Sequence, residues 1–256
     1  MTLPLLFMIN HMPYGITINK MARKLEITPK IGCPNNCEYC PQDVLIKAYS
    51  GNTMMSLDQF KTALNNVPTD VQIEFTGLTE PFMNIESSAM MAYSIDSGYS
   101  TIVYSSLAGF TEKDSLILRG KKFVDVKFHK FKSPTFNEIE FNKKIELFKK
   151  YIPITKVDIV TVEPQWTFSR AGNLYDKPAI KGKFKCSPCG DTFSHNELLP
   201  NGDVYLCCMD FGLKHKLGNL FDTRYDDLNR QQIVDLSNQE DSDIICRKCE
   251  LFRLIK

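Results

Sequence analysis

The cysteines constrain this sequence more than any other residue type. All nine fall in tight groups, and none stands alone elsewhere in the 256 residues. Cysteines that serve as small core residues would be scattered, and disulfide frameworks are typical of short secreted chains. Grouped thiols therefore predict metal binding. The groups are Cys33, Cys37 and Cys40; Cys186 and Cys189; Cys207 and Cys208; Cys246 and Cys249.

The overall composition is that of a folded protein without a strong charge. Lys and Arg number 31 against 30 Asp and Glu, so no net field attracts nucleic acid or an anionic membrane. The apolar run at 3–9 is broken by Asn10 and Pro13, and no basic residue precedes it. A packed segment therefore suits it better than a signal peptide or a membrane span. We expect a cytoplasmic protein with no membrane or nucleic-acid partner.

Strand-like and helix-like segments alternate before residue 165. This alternation predicts an α/β fold with a mainly parallel sheet, as a partial or complete barrel whose active site lies at the strands' C-terminal ends. The predicted strands are 25–32, 71–77, 100–106, 123–129 and 156–162. One predicted helix begins at Ser56, which suits an N-cap. Three more cover 84–97, 111–119 and 135–151.

The sequence changes character after residue 170, where Gly, Pro, Asn and Cys become frequent and strand-like segments shorten. We expect residues 1–178 to form the barrel. Residues 179–256 would then form a small cysteine-rich domain, which is too small to be stable through burial alone and would be held together by metal.

The first cysteine group reads Cys33-Pro-Asn-Asn-Cys37-Glu-Tyr-Cys40. Three thiolates on one tight loop can hold three irons of a cubane and leave the fourth iron without a protein ligand. Structural zinc prefers four ligands, and the histidine closest in sequence, His11, lies far upstream. An iron–sulfur cluster is therefore the better match to an all-thiolate group of three.

This CxxxCxxC segment, with Tyr39 before its third cysteine, resembles the signature of the radical SAM superfamily. The resemblance implies a partial (β/α)6 TIM-type barrel. It also implies a [4Fe–4S] cluster whose open iron binds S-adenosylmethionine, and reductive cleavage of that cofactor to a 5′-deoxyadenosyl radical. Tyr39 would lie near the adenine; the alternative is an aromatic residue packed in the loop.

A second segment, Gly77-Leu78-Thr79-Glu80-Pro81, resembles the GGEP motif of the same superfamily. The resemblance implies that Glu80 engages the ammonium group of S-adenosylmethionine, a sensible partner for a carboxylate. Leu78 and Thr79 stand where the family has its two glycines. The further cofactor contacts that the resemblance implies are Gly77, Thr79, Ser105, His129 and Arg170; a solvated polar side chain is the alternative for the last three.

The C-terminal cysteines resemble the SPASM or twitch extension of radical SAM enzymes, with Gly202 and Cys207 in a G-x4-C spacing. The resemblance implies one auxiliary [4Fe–4S] cluster, because a full SPASM domain uses seven cysteines for two clusters and this tail has six. A structural zinc ribbon is the alternative. The implied ligands are Cys186, Cys207, Cys246 and Cys249, with Cys189 and Cys208 as alternates.

Together, the two resemblances imply a radical SAM oxidoreductase that acts on a small polar substrate, such as a sugar or cyclitol. Net oxidation would pass through the auxiliary cluster, as in the twitch-type aminocyclitol dehydrogenases. An external electron donor such as flavodoxin or ferredoxin would be a partner. Two alternatives remain open: a SPASM-type maturase of ribosomal peptides, and a zinc-stabilised binding protein without catalysis.

Overall fold

The fold is built around one large sheet. The computed structural model describes residues 23–131, 133, 136–154, 158–162, 169–186 and 193–254, with the backbone alone at 162, 185–186 and 252–254. Eight strands form this sheet in the order β5-β4-β3-β2-β1-β7-β8-β9, and two more form a separate pair. The strands are β1 (Lys24–Ile27), β2 (Gln72–Phe75), β3 (Thr101–Ser105), β4 (Asp125–Phe131), β5 (Asp158–Val162), β6 (Phe184–Cys186), β7 (His195–Leu198), β8 (Asp203–Tyr205), β9 (Lys216–Asn219) and β10 (Phe252–Leu254).

The first five strands are parallel neighbours in chain order. This arrangement confirms the predicted α/β fold with the parallel sheet of a partial barrel. Because the carboxyl ends of parallel strands meet at one edge, the loops after β1, β2 and β3 lie together there. The helices between these strands are α1 (Gln42–Ala48), α2 (Leu57–Leu64), α3 (Ser87–Asp96), α4 (Glu112–Ile117) and α5 (Glu138–Tyr151).

The two faces of the parallel strands differ in chemistry because side chains alternate along a strand. One face packs against the helices, where the ring centres of Phe128 and Phe148 lie 5.1 Å apart. Burying each such side chain contributes about 1.5–3 kcal/mol. The opposite face, called the inner face below, carries polar residues. Its polar residues on β1 to β4 include Glu26, Glu74, Tyr104, Lys127 and His129.

The predicted helix start at Ser56 is confirmed. The Ser56 hydroxyl accepts a hydrogen bond from the Gln59 amide at 3.1 Å, and the Gln59 side chain accepts one from the Ser56 amide at 2.9 Å. Such a capping box satisfies two backbone donors that the helix leaves free. Thr111 and Asp114 make the same reciprocal pair at the start of α4.

Several predicted element boundaries differ from those found, among them the helix expected at 135–151, which begins at Glu138. The strand expected at 25–32 ends at Ile27, since Pro29 has no backbone donor for a ladder. The helix expected at 84–97 begins at Ser87, because a 3-10 turn at Pro81–Met83 comes first. The fourth strand covers Asp125–Phe131 and not 123–129.

The tail extends the same sheet. Strand β7 pairs in parallel with β1, with Glu26 opposite Glu197, and β8 and β9 follow antiparallel. A sixth parallel strand therefore lies beside β1. The predicted Asn201-Gly202 turn joins β7 to β8, and Gly202 has a φ of +83°, a conformation that favours glycine. One helix, α6 (Gln231–Asn238), follows β9. The division at residue 178 stays a prediction.

A buried arginine fastens the end of the tail. The Arg247 guanidinium donates to the carbonyl oxygens of Ile180 and Gly182, each at 2.9 Å, and to that of Gln239. It thereby ties the 3-10 turn Ile245–Lys248 to the segment before β6.

The apolar run at 3–9 lies outside the described residues. Within the described ranges, no helix has both the length and the apolar character that a membrane span requires.

Candidate metal centre and cofactor site

The first cysteine loop follows β1 and leads into α1. It turns where the Cys40 amide donates to the Cys37 carbonyl at 3.0 Å, and Asn36 has a φ of 47°, which asparagine tolerates better than most residues. Cys33, Cys37 and Cys40 are all half-buried. Their thiols lie close enough for each to affect the ionisation of another.

Each sulfur of this loop has its own hydrogen-bond donors. Cys33 accepts from the backbone amides of Asn35 and Glu80, Cys37 from the Tyr39 phenol, and Cys40 from the Gln42 side chain at 3.3 Å.

Burial raises the pKa of all three thiols, that of Cys37 to about 12. Without a metal they hold their protons at neutral pH, so cluster binding at this loop would release protons.

Glu80 lies between this loop and the end of β3, and it is buried. One carboxylate oxygen accepts from the Ser105 hydroxyl at 2.5 Å, and the other from the Ser106 amide and hydroxyl at 2.8 and 2.6 Å. Burial raises the pKa of Glu80, while its charge acts on Cys33 and Cys37. The structure thus places Glu80 and Ser105 together beside the cysteines. Their contact with a cofactor stays a prediction.

Gly77 and Thr79 fasten the loop after β2 to the loop after β1. A Cβ atom on Gly77 would lie 2.4 Å from Thr28 Oγ1 and 2.7 Å from the Ile27 carbonyl oxygen. The Thr79 hydroxyl donates to the Lys30 carbonyl at 2.6 Å. These contacts hold the two loops together; the contacts of Gly77 and Thr79 with a cofactor stay predictions.

Arg170 reaches the first cysteine loop from beyond β5. Its guanidinium carbon lies 5.9 Å from the centre of the Tyr39 ring, and its Nε donates to the Tyr39 carbonyl at 3.4 Å. Burial raises the pKa of Tyr39, with the Cys37 charge in the same direction. The loop therefore has an aromatic ring and a fixed cation on one side.

His129 lies farther along the sheet, on the inner face of β4. Its ring is 5.8 Å from that of Tyr104, and its Nε2 is buried without a hydrogen-bond partner among the described residues. Burial, with the charges of Lys127 and Arg170, lowers the pKa of His129 to about 4. The imidazole is therefore neutral at physiological pH.

The inner face also carries an ionic network that the sequence reading missed. His195 Nε2 lies 2.5 Å from a carboxylate oxygen of Glu26, and Lys24 Nζ lies 2.7 Å from one of Glu74. Burial alone would lower the pKa of His195, but Glu26 and Glu74 raise it. Glu197 is fully buried, and burial with the nearby carboxylates raises its pKa well above normal.

A signal for this network is present in the sequence. Charged residues recur at every second position in Lys24-Leu-Glu26 and in His195-Asn-Glu197, which puts them on one face of each strand. The carboxylates of Glu26 and Glu74 and the His195 imidazole bring three ligand atoms within 4.8 Å of one another. The ion pairs with His195 and Lys24 already balance these charges.

The adjacent cysteines of the tail point to different surroundings. Cys207 interacts with Cys246 and Cys249, whereas Cys208 interacts with the carboxylates of Glu26 and Glu197 and with Arg170. The Cys249 amide donates to the Cys246 carbonyl at 3.1 Å, which brings the last pair into one turn. This geometry favours Cys207 over Cys208 as a ligand.

The remaining predicted tail ligands are not described. The side chain of Cys186 and the whole of Cys189 lie outside the described residues. The choice between them stays a prediction.

The donor set of both cysteine groups is all sulfur. Structural zinc prefers four ligands, whereas the first loop offers three thiols with the buried carboxylate of Glu80 beside them. Three thiolates that each bind a different iron leave one iron of a cubane open, so the residues of this loop fit a [4Fe–4S] cluster.

The comparisons with known proteins agree with this geometry. Residues 189–250 match the SPASM family, described as an iron-sulfur cluster-binding domain. No curated protein sequence matches the chain.

Three solved structures share the fold at low identity. BtrN in complex with AdoMet and 2-DOIA is 16% identical, with a TM-score of 0.64 over 87% of this chain and 89% of BtrN. Native anSMEcpe with bound AdoMet is 15% identical, with a TM-score of 0.52 over 89% and 86%. Streptococcus suis SuiB bound to precursor peptide SuiA is 14% identical, with a TM-score of 0.50 over 84% and 67%.

The expected fold is therefore confirmed: the parallel sheet of a partial barrel, shared with these solved structures, with residues 189–250 matching the SPASM family.

Proposed function

We propose that this chain, which has the radical SAM fold and a SPASM domain, binds a [4Fe–4S] cluster through Cys33, Cys37 and Cys40. The observation that supports this most is the arrangement of three half-buried thiols on one loop, beside the buried carboxylate of Glu80. When bound, the cluster and S-adenosylmethionine would together supply a 5′-deoxyadenosyl radical that abstracts hydrogen from substrate. The protein's own part is to hold both groups and the substrate in place.

Two residues of opposite charge suit the amino-acid end of S-adenosylmethionine. Glu80 carries its carboxylate beside Cys33, with its orientation fixed by Ser105 and Ser106. A carboxylate stabilises an ammonium group. Arg170 stands on the Tyr39 side of the loop, and a guanidinium suits a carboxylate. We therefore assign Glu80 to the cofactor's ammonium group and Arg170 to its carboxylate, with Tyr39 near the adenine.

The polar inner face supports a small polar substrate. Tyr104 donates to Asp125 at 2.7 Å, Lys127 donates to Tyr104 at 3.0 Å, and His129 offers a buried Nε2. Such groups can orient hydroxyl or amino substituents. The higher TM-score with BtrN, whose structure holds 2-DOIA, supports a sugar- or cyclitol-like molecule.

The tail would hold one auxiliary [4Fe–4S] cluster. Its proposed ligands are Cys207, Cys246 and Cys249 with Cys186, and Cys189 is the alternate. Because Cys207 and Cys208 are adjacent and Cys208 meets the inner face at Glu26, the cluster would lie near the substrate. It would take up an electron as the substrate is oxidised. A flavodoxin or ferredoxin of the cytoplasm would serve as the external electron donor.

A peptide maturase is the second candidate. It is favoured by the likeness to SuiB, whose structure holds a precursor peptide. A peptide substrate would need an open path along the inner face, whereas a cyclitol needs only a closed pocket. Incubation with an aminocyclitol set and with peptide substrates, followed by mass spectrometry, separates the two: loss of two mass units from a cyclitol supports oxidation, and a modified peptide supports maturation.

The direct test is anaerobic. Two four-iron clusters predict about eight irons per chain, and reductant with S-adenosylmethionine should yield 5′-deoxyadenosine. The triple variant Cys33→Ala, Cys37→Ala, Cys40→Ala should lose about half the iron and all of the product. A colourless protein that holds zinc and leaves the cofactor intact would refute the proposal and favour a non-catalytic binding protein.

A further inference from the structure

Gln42 connects the two loops that carry the proposed cofactor site. It is the first residue of α1, directly after the cysteine loop. Its Nε2 donates to Cys40 Sγ at 3.3 Å and to the Leu78 carbonyl oxygen at 2.6 Å. A carbonyl oxygen only accepts, so the amide must present its nitrogen and not its oxygen to these two atoms.

The surroundings hold this amide in place. Cys40 and Leu78 pack in one apolar cluster with Ile31 and Leu45, and the Leu78 amide donates to Thr28 Oγ1 at 2.7 Å. Both backbone polar groups of Leu78 are therefore paired, its amide with Thr28 and its carbonyl oxygen with Gln42. In such apolar surroundings a hydrogen bond to a charged sulfur is stronger than in water.

The other two sulfurs of the loop accept hydrogen bonds from donors of a different kind. Cys33 accepts from backbone amides and Cys37 from the neighbouring Tyr39 phenol, both within or next to the motifs. Gln42 instead contacts both motifs with one side-chain group. Its Oε1 is buried without a hydrogen-bond partner among the described residues, so the donor end accounts for the placement of the amide.

We propose that Gln42 is a positioning residue that raises the reduction potential of the first cluster by donating to the Cys40 sulfur, while it holds Leu78 against that loop. Reduction adds negative charge to a cluster, and an N–H donor to a ligating sulfur stabilises that charge. The inference rests on the proposed function, since it requires the cluster at Cys33, Cys37 and Cys40.

The test is a redox titration of the full-length protein with both clusters loaded, followed by electron paramagnetic resonance. The signal that changes when S-adenosylmethionine is added identifies the first cluster. Gln42→Leu removes the donor, and Gln42→Met removes it while keeping the chain length. In each variant we expect the ratio of reduced to oxidised first cluster, at the wild-type midpoint, to fall about tenfold, which is 59 mV for one electron.

Ile46→Ala is the matched control, because Ile46 lies on the same short helix and its side chain is half exposed. This variant perturbs α1 without removing a donor, so the midpoint should stay at the wild-type value. The second cluster should keep its midpoint in all three variants.

An unchanged or raised midpoint in both Gln42 variants would overturn the inference. Loss of the first cluster from both, with normal circular dichroism, would overturn it too, since Gln42 would then be needed for assembly. Failure of the proposed function is distinguishable: no signal of the wild-type protein would respond to S-adenosylmethionine.

Discussion

The first cysteine loop and the cysteines of the tail reach a similar arrangement by different routes. Cys33, Cys37 and Cys40 lie on one turn between β1 and α1, half-buried, with their own hydrogen-bond donors. In the tail, the turn with Cys246 and Cys249 meets Cys207 across about forty residues of chain. The difference teaches that the thiols of the proposed first site are brought together by local sequence, whereas those of the proposed second site depend on the sheet and on the Arg247 contacts.

The largest expected effect separates the two sites by chemistry. Cys37→Ala should lower 5′-deoxyadenosine formation by more than about a hundredfold, because the proposed first cluster would lose one of its three ligands. Cys246→Ala should still cleave S-adenosylmethionine while losing about four irons. Product assays by liquid chromatography and iron analysis of both variants check this. Equal loss of S-adenosylmethionine cleavage in the two variants would contradict the assignment of different roles to the two clusters.

A second prediction concerns the two adjacent cysteines of the tail. Cys207→Ala should lose about four irons per chain, since Cys207 faces Cys246 and Cys249. Cys208→Ala should keep the full iron content because Cys208 faces Glu26 and Glu197. The matched pair of iron and sulfide measurements decides between them. If only Cys208→Ala lost iron, Cys208 and not Cys207 would be the ligand.

Much of the first site was predictable from sequence because its parts are local. The CxxxCxxC spacing, the strand before Gly77 and the serine at the end of β3 are all read within a few residues, and the parallel sheet explains why they meet. The role of Gln42 as a hydrogen-bond donor was not predicted. Gln42 belongs to no motif, and its two acceptors, Cys40 and Leu78, lie in different loops.

The tail was less predictable for a physical reason. That β7 would pair with β1 is not visible in a four-residue strand, because pairing depends on tertiary context. The network of Glu26, Glu74 and His195 follows from that pairing, so it was missed too. The choice between Cys207 and Cys208 likewise required knowing which neighbours each thiol meets.

A third, smaller effect tests how the loop after β2 is held. Gly77→Ala should lower stability by about 1–3 kcal/mol, as overpacking does, because its Cβ would lie 2.4 Å from Thr28 Oγ1. Cofactor cleavage should fall as Glu80 shifts. Gly212→Ala is the control, since its nearest neighbour would be at 3.6 Å. Thermal unfolding of both variants checks this prediction. Equal midpoints would show that a Cβ atom at Gly77 is accommodated without cost.

The smallest effect concerns the pH dependence of stability. The raised pKa of Glu197 means that the folded protein keeps a proton that the unfolded chain releases above its ordinary pKa. This group therefore lowers stability as pH rises towards the folded pKa. Glu197→Gln removes that cost, so its unfolding midpoint should exceed the wild-type value by a few degrees at pH 8.

The advantage of Glu197→Gln should shrink as the pH falls towards the ordinary glutamate pKa. Glu26→Gln provides a matched comparison on the same face. Burial alone would raise the pKa of Glu26, but its ion pair with His195 brings it below the ordinary value, so loss of this carboxylate should destabilise the protein at pH 8. An advantage of Glu197→Gln that stays constant from pH 8 to pH 5 would contradict the buried protonated carboxyl.

The central claim is that the first loop leaves one iron open to S-adenosylmethionine. Electron–nuclear double resonance of the reduced protein, with the cofactor labelled by ¹⁵N at its amino group, tests it directly. The account predicts a nitrogen coupling to the first cluster that persists in Cys246→Ala and is absent when Cys33, Cys37 and Cys40 are replaced together. A reduced cluster at this loop with no coupling to the labelled cofactor would contradict it.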